Sequence, residues 1–259
     1  LKVIVSVLES YFIIKKNRPK VVVGTGGYVC GPIVFVASLL KIPTVIHEQN
    51  SFPGITTRML SNKATQVHLT FESAKKFLKR TDNVFVSGNP TRAELDNVNT
   101  EEALKYFGFD VHSDKKTLLV FGGSLGAATI NNAVLNLLEE LVKSNIRIIW
   151  QTGKNNVAEI SSDVSKYLRH EIWIYPFIER MDFAYACADV VLCRSGATTL
   201  AEITRLGKAS ILVPYPFATA NHQEENAKVL LNENAAEMIL DKNISTELRE
   251  KIFSLLNDD

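Results

Sequence analysis

The sequence has no surplus of charge of either sign: Lys and Arg number 29 against 28 Asp and Glu, a formal net charge of +1. So balanced a chain carries no global field to gather a polyanion, which argues against nucleic acid as its partner. Cysteine is scarce as well. The three present, Cys30, Cys187 and Cys193, stand in apolar or strand-end contexts without paired metal spacing, which excludes a disulfide framework and fits a reducing compartment. No apolar run is long enough to cross a bilayer, and neither a solenoid repeat nor a low-complexity tract is visible in the 259 residues. The opening "LKVIVSVLESYFIIKKNRPK" also lacks an initiator Met and a small-residue cleavage site, so it reads as a helix met in mid-protein and not as a signal peptide. The expectation is a chain whose natural N-terminal segment lies outside this sequence.

What is present is alternation. Short β-branched runs trade places with helical patterns almost throughout, the mark of βα units and parallel sheets. Strand candidates in the first third are 20–24, 43–47, 65–69 and 83–87. After the polar stretch "GNPTRAELDN" the pattern restarts with 117–123, 147–153, 171–177, 189–195, 209–215 and 236–241. Two sheets follow, with a boundary near Pro90 that gives domains of residues 1–91 and 92–259.

Ligands of open parallel sheets collect beyond the carboxyl ends of the strands, so the loops there carry the chemistry. Three are rich in glycine: "GTGGYVCGP" (24–32), "GGSLGAATIN" (122–131) and "CRSGATTLAE" (193–202). Each joins a strand to a helix, whose first turn offers unpaired N–H groups and a positive dipole end, so a diphosphate is the expected guest. A dinucleotide-binding dehydrogenase needs G-x-G-x-x-G, but after Gly24 and Gly26 the third position is Val29, and "GGSLGA" also has the wrong spacing. No Gly-Lys-Ser/Thr follows either loop, so the Walker pattern is absent too. A nucleotide diphosphate attached to another group remains.

Glu202, about two turns into the helix after "RSGATT", can accept from two vicinal ribose hydroxyls while residues 195–199 hold phosphates; the alternative is a solvent-facing helix glutamate. Arg194 is either a phosphate clamp or a structural partner of the helix ends. "HEQN" (47–50) sets four polar residues directly after an apolar strand, and "ANHQEENA" (220–227) opens a helix, with Asn221 as a simple N-cap or His222 and Gln223 on sugar hydroxyls. His68, His112 and His170 read as structural or surface residues.

Taken in order, "GTGGYVCGP", "HEQN", "GNPTR", "GGSLGA", "FIERM", "AYACADVVLCRSGATTLAEI" and "HQEENA" resemble the MurG family of peptidoglycan glycosyltransferases over almost the whole chain. The resemblance implies an α/β GT-B fold of two Rossmann-like domains facing a cleft, the N-terminal one incomplete, the C-terminal one binding the donor UDP-GlcNAc. It implies transfer of N-acetylglucosamine to undecaprenyl-diphospho-N-acetylmuramoyl-pentapeptide (lipid I), with inversion, by a single in-line displacement. By the same resemblance Arg92 and Ser124 contact the diphosphate, Ile178 offers backbone to the uracil, and Ala197, Thr198 and Thr199 line the diphosphate and sugar. Glu202 takes the ribose, Gln223 with His222 beside it takes the sugar hydroxyls, and Asn50 lies on the cleft side of the N-terminal domain.

No cofactor is implied, and helix N-termini with Arg can stabilise the departing diphosphate without a metal ion. In the family a further glycine-rich loop, containing a histidine proposed to take part in catalysis, precedes everything present here, and the family's last helix extends beyond the final residue. The base is therefore unassigned, with His47 and Glu48 as weak candidates. In the opening helix Val3, Ile4, Val7, Leu8, Tyr11, Phe12 and Ile14 precede Lys15, Lys16, Arg18 and Lys20. That distribution suits an anionic bilayer surface, where the lipid-linked acceptor is anchored, or else an ordinary core helix with solvated lysines at its end. The implied location is the cytoplasmic face of the bacterial plasma membrane, peripheral, in contact with other cell-wall synthesis proteins. Two rival readings are a donor-binding fragment without turnover and another UDP-GlcNAc enzyme of this architecture, such as an epimerase.

Overall fold

A computed structural model describes residues 2–167 and 171–257, so His170 lies outside the described residues. The chain divides into two compact units, Leu1–Pro90 and Thr91–Asp259.

In the first unit α1 (Lys2–Asn17) precedes β1 (Val22–Gly24), α2 (Cys30–Leu39), β2 (Thr44–Glu48), α3 (Ile55–Leu60), β3 (Gln66–Leu69) and β4 (Val84–Val86). The strands form one parallel sheet in the order β1-β2-β3-β4, with Val23 opposite Val45 and Ile46 opposite Val67. Val34, Val36 and Ala37 of α2 pack on Ile46, Val67 and Leu69 of the sheet. Pro32 is tolerated because it lies in the first turn of α2, where N–H groups have no intrahelical acceptor. Of the two expectations for α1, core burial holds for Ile14 and partly for Val7. Val3, Ile4, Leu8 and Phe12 are more than half exposed.

The second unit runs α4 (Thr100–Tyr106), β5 (Thr117–Phe121), α5 (Ala128–Lys143), β6 (Arg147–Gln151), α6 (Val157–Val164), β7 (Ile172–Tyr175), α7 (Met181–Cys187), β8 (Val190–Cys193), α8 (Ala197–Leu206), β9 (Ala209–Leu212), α9 (His222–Asn232), β10 (Glu237–Met238) and α10 (Ile244–Asn257). Its sheet is parallel throughout, in the order β7-β6-β5-β8-β9-β10. Strands β5, β6 and β8 are buried at every position, which is why "TLLVF", "RIIWQ" and "VVLC" read as nearly continuous apolar runs. Their side chains form one core with Ile130, Val134 and Leu138 of α5 and Leu248 and Ile252 of α10.

Arg147 opens β6 inside the protein. Its Nη2 donates to the carbonyls of Asp110 and Ser113, and its Nε pairs with Glu171 at 3.3 Å, while Lys115 reaches the same carboxylate at 2.8 Å. The segment between α4 and β5 is thereby fastened to the start of β7.

Candidate functional site

Strand order in the second unit reverses between β5 and β8, and there two glycine-rich loops diverge to opposite faces of the sheet. A cleft of about 760 Å³ lies over this point, its walls including Ser124, Gly126, Arg194, Thr199, Tyr215 and Gln223. α5 starts behind the first loop and α8 behind the second. Their N-cap positions, Ala127 and Gly196, supply no side-chain cap, so first-turn N–H groups remain for a ligand. Gly126 is required by its surroundings: its φ is +82°, and a Cβ there would stand 2.1 Å from the Thr152 carbonyl oxygen.

The cleft brings together Ser124, Thr199 and Gln223 of the residues expected to hold a donor, with Ala197 and Thr198 at the start of α8 beside it. Gln223 is fixed in orientation because its Oε1 accepts from the Tyr215 N–H at 3.0 Å. Ser195, fully buried, donates from Oγ to the Gln223 carbonyl at 2.8 Å, tying the loop after β8 to the start of α9. His222 is outside the cleft walls, its Nδ1 2.5 Å from the Thr219 carbonyl. Asn221 occupies the N-cap position of α9 without capping it; its side chain donates to Glu224 instead.

Three of the expected site residues already have protein partners. Arg194 lines the cleft, but Nη1 donates to the carbonyls of Val213 and Pro214 and to Asp241, and Nη2 donates to Thr129 Oγ1. Of its two readings, the structural one fits: the guanidinium shapes the wall. Ile178 is 2% exposed, and its N–H already donates to Gln151 Oε1 at 2.8 Å, so that amide is not open to a base. Glu202 is no solvent-facing helix residue. It is 5% exposed, Arg92 reaches its Oε1, and the Tyr185 hydroxyl donates to its Oε2 at 3.0 Å. Burial first, then the neighbouring Cys193 and Glu202, pushes the Tyr185 phenol up, so the hydroxyl stays a donor. Arg92 also lines a separate cleft of about 680 Å³ with Asp96, Glu102 and Arg180.

In the first unit "HEQN" organises its own loops. Glu48 is 3% exposed and accepts from the N–H groups of Asn50 (3.1 Å) and Gly54 (3.0 Å) and from Thr57 Oγ1 (2.6 Å). His47 Nε2 lies 3.0 Å from the Gly88 carbonyl, and Nδ1 lies 3.3 Å from Gln49 Nε2. A carbonyl only accepts and an amide NH₂ only donates, so these partners place the ring proton on Nε2. Both weak base candidates are therefore engaged in contacts within their own loops, and the base stays unassigned. Asn50 sits beside Glu48, its Nδ2 donating to Oε1 at 3.4 Å. Gln49 donates to the Thr25 carbonyl at 2.8 Å, joining this loop to "GTGGYVCGP".

Sequence reasoning passed over Gln151, Tyr185 and Asp241. Gln151 had a signal: a polar residue closing an apolar strand, the same feature that drew attention to "HEQN". Tyr185 and Asp241 had none, because each matters through a partner far along the chain. Among the described residues no cluster of three or more His, Cys, Asp or Glu is arranged to hold a metal ion, and no helix is long and apolar enough to cross a membrane.

Two parallel Rossmann-type sheets in series, with a cleft at the switch point of the second, are the architecture of the GT-B fold class. The chain belongs to glycosyltransferase family 28: residues 117–259 match the family's C-terminal domain and residues 1–69 its N-terminal domain. Over 254 residues it is 47% identical to the "UDP-N-acetylglucosamine--N-acetylmuramyl-(pentapeptide) pyrophosphoryl-undecaprenol N-acetylglucosamine transferase" of Chlorobaculum parvum, covering 98% of this chain and 68% of that protein. The crystal structure of Acinetobacter baumannii MurG matches with a TM-score of 0.80 at 29% identity, over 99% of this chain and 73% of that one. A putative UDP-N-acetylglucosamine 2-epimerase from Listeria monocytogenes shares the fold, with a TM-score of 0.70 at 13% identity over 99% of this chain and 71% of that one.

Proposed function

We propose that the protein transfers N-acetylglucosamine from UDP-GlcNAc to undecaprenyl-diphospho-N-acetylmuramoyl-pentapeptide, turning lipid I into lipid II for peptidoglycan. The observation that carries this reading is the cleft at the switch point of the second unit, where two helices begin without side-chain caps and Gln223 is held in a fixed orientation. Such a cleft suits a diphosphate joined to a sugar. The second unit, residues 92–259, is the donor-binding domain in this reading, and residues 1–91 belong to the acceptor side.

The roles follow from the groups present. Ser124 and the backbone of 196–199 hold the diphosphate, with Arg92 adding positive charge. Glu202 accepts from the ribose, Gln223 with His222 beside it meets the sugar hydroxyls, and the segment around Ile178 faces the uracil. Arg194 serves by shaping the wall. In the reaction a base takes the acceptor's hydroxyl proton as the new bond forms at the anomeric carbon and the bond to the β-phosphate breaks. The charge left on UDP is met by the starts of α5 and α8, and stabilisation of this kind is commonly worth several kcal/mol. Association with the cytoplasmic face of the membrane is supported by the exposed Val3, Ile4, Leu8 and Phe12 of α1, followed by Lys15 and Lys16 in its last turn.

Incubation with labelled UDP-GlcNAc and lipid I tests the proposal. Labelled lipid II is the expected product. Interconverted nucleotide sugar without lipid product would indicate an epimerase, and saturable donor binding with neither product would indicate a binding module. Flotation with vesicles tests the membrane surface: binding to anionic but not zwitterionic lipid is expected, and Phe12→Asp reduces it.

A further inference from the structure

We propose that Gln151 is a positioning residue that locks the glycine-rich loop after β5 to the segment after β7, and so sets the selectivity of the second unit for the donor's base. The inference rests on the donor-site reading given above.

Gln151 is the last residue of β6, opposite Phe121 of β5 and Tyr175 of β7, and is 5% exposed. Its carboxamide makes two hydrogen bonds to different loops. Nε2 donates to the Gly123 carbonyl at 2.9 Å, and Oε1 accepts from the Ile178 N–H at 2.8 Å. A carbonyl can only accept and an amide N–H can only donate, so the two partners fix which way the carboxamide faces. One end holds the loop that carries Ser124 and borders the cleft; the other holds the segment that opens "FIERM". The tip of β6, between β5 and β7, thus acts as a brace between the loop assigned to the diphosphate and the segment assigned to the uracil.

Few side chains can do this. Leucine fills the space but leaves the buried Ile178 N–H unpaired and takes away one of the two donors to the Gly123 carbonyl, which keeps the Gly126 N–H. Glutamate keeps the acceptor for Ile178, but as a carboxylate it cannot donate to Gly123 and sets two acceptors against each other. Shifting either loop changes the spacing between the phosphate and base subsites, which penalises the correct nucleotide more than a wrong one.

The test measures dissociation constants for UDP-GlcNAc, UDP and GDP by calorimetry on the wild type, Gln151→Ala and Gln151→Glu, with thermal melting alongside. Expected is a loss of about tenfold or more in UDP-GlcNAc affinity and a narrowing of about threefold or more in the preference for UDP over GDP. A residue that merely supported folding would lower the melting temperature and leave that ratio unchanged. Acidification to pH 5 is expected to recover part of the affinity of Gln151→Glu but not of Gln151→Ala, since a protonated carboxyl regains a donor for Gly123. Should Gln151→Ala fail to fold, the near-isosteric Gln151→Glu carries the measurement. A wild type that binds UDP-GlcNAc alongside folded variants with unchanged affinity and unchanged ratio would overturn the proposal alone. A wild type without affinity for UDP-GlcNAc would overturn the donor-site reading and this proposal with it.

Discussion

Arg92 and Glu202 hold each other. Nε and Nη2 of Arg92 both reach Oε1 of Glu202, at 3.2 and 3.0 Å, although 110 positions of sequence separate them. The pair is lopsided in exposure, with side chains 51% and 7% accessible. Two residues proposed for different parts of one nucleotide sugar are therefore partners in this structure, and Tyr185 holds the second oxygen of the carboxylate. A ribose that donates to Glu202 shares or replaces the contact with Arg92.

Glu202→Gln is expected to weaken UDP-GlcNAc binding by about 1–3 kcal/mol, the scale of a hydrogen bond to a charged group, as read by calorimetry. Arg92→Ala leaves a buried carboxylate with Tyr185 as its remaining partner of the two. It is expected to lower stability by about 1–2 kcal/mol, less than for a fully buried pair because Arg92 is half exposed. Combined with Glu202→Gln, most of that loss is expected to vanish in a double-mutant cycle on melting temperature. Strictly additive effects would show the contact to be idle.

Gly126→Ala probes the loop after β5. The φ of +82° is unfavourable for alanine, and the new Cβ would press on the Thr152 backbone, which has no room to yield beside Gly153. A stability loss of about 2 kcal/mol or more is expected by denaturant titration, together with loss of nucleotide binding. Gly108→Ala, also at positive φ (+74°) but with open space around it, is the control and costs about 1 kcal/mol.

Every strand among the described residues was legible: β5, β6 and β8 because strands buried at every position read as nearly continuous apolar runs, and the more exposed β1, β4 and β7 because β-branched and aromatic residues fill them and polar or turn residues bound them. Their ends were not. The run 236–241 yields only Glu237–Met238 as β10, at the sheet edge, where one neighbour alone limits the pairing. The residue types proposed for ligand contact could be picked out at strand tips, but their partners could not. Arg194 with Asp241, Arg92 with Glu202, and Gln151 with Gly123 and Ile178 are pairings created by topology, and no local pattern encodes them. Glu48 shows the converse: its chemistry suits a base, while its surroundings make it the anchor of residues 50–57.

Glu171 gives the fold an acid limit. Burial acting alone pushes its carboxyl up, but the Lys115 hydrogen bond, the Asp110 N–H and the charge of Arg147 outweigh that and hold it below the usual glutamate range. A depressed folded-state value means that the stabilisation is complete above the unfolded value of about 4.3 and is lost as pH falls through the folded one. The melting temperature of the wild type is thus expected to drop below about pH 4, and Glu171→Gln flattens that drop while costing about 1–3 kcal/mol at pH 7. An unchanged acid profile in Glu171→Gln would count against this origin.

The three thiols report on the two units separately. Cys193 closes β8 fully buried, Cys187 is 7% exposed at the end of α7, and Cys30 is half-buried at the start of α2. Burial pushes all three thiols up, Cys187 to about 12, so few thiolates exist at neutral pH and access decides the rates. A disulfide reagent at pH 8 is expected to modify Cys30 first, with Cys187 and Cys193 reacting only as the second unit opens. If UDP-GlcNAc binds that unit, adding it at a hundredfold excess over its dissociation constant slows modification of Cys193 by about a hundredfold. Cys30, in the other unit, keeps its rate. Mass spectrometry of the labelled peptides distinguishes the sites. Equal protection of Cys30 and Cys193 would move the nucleotide away from the switch point between β5 and β8.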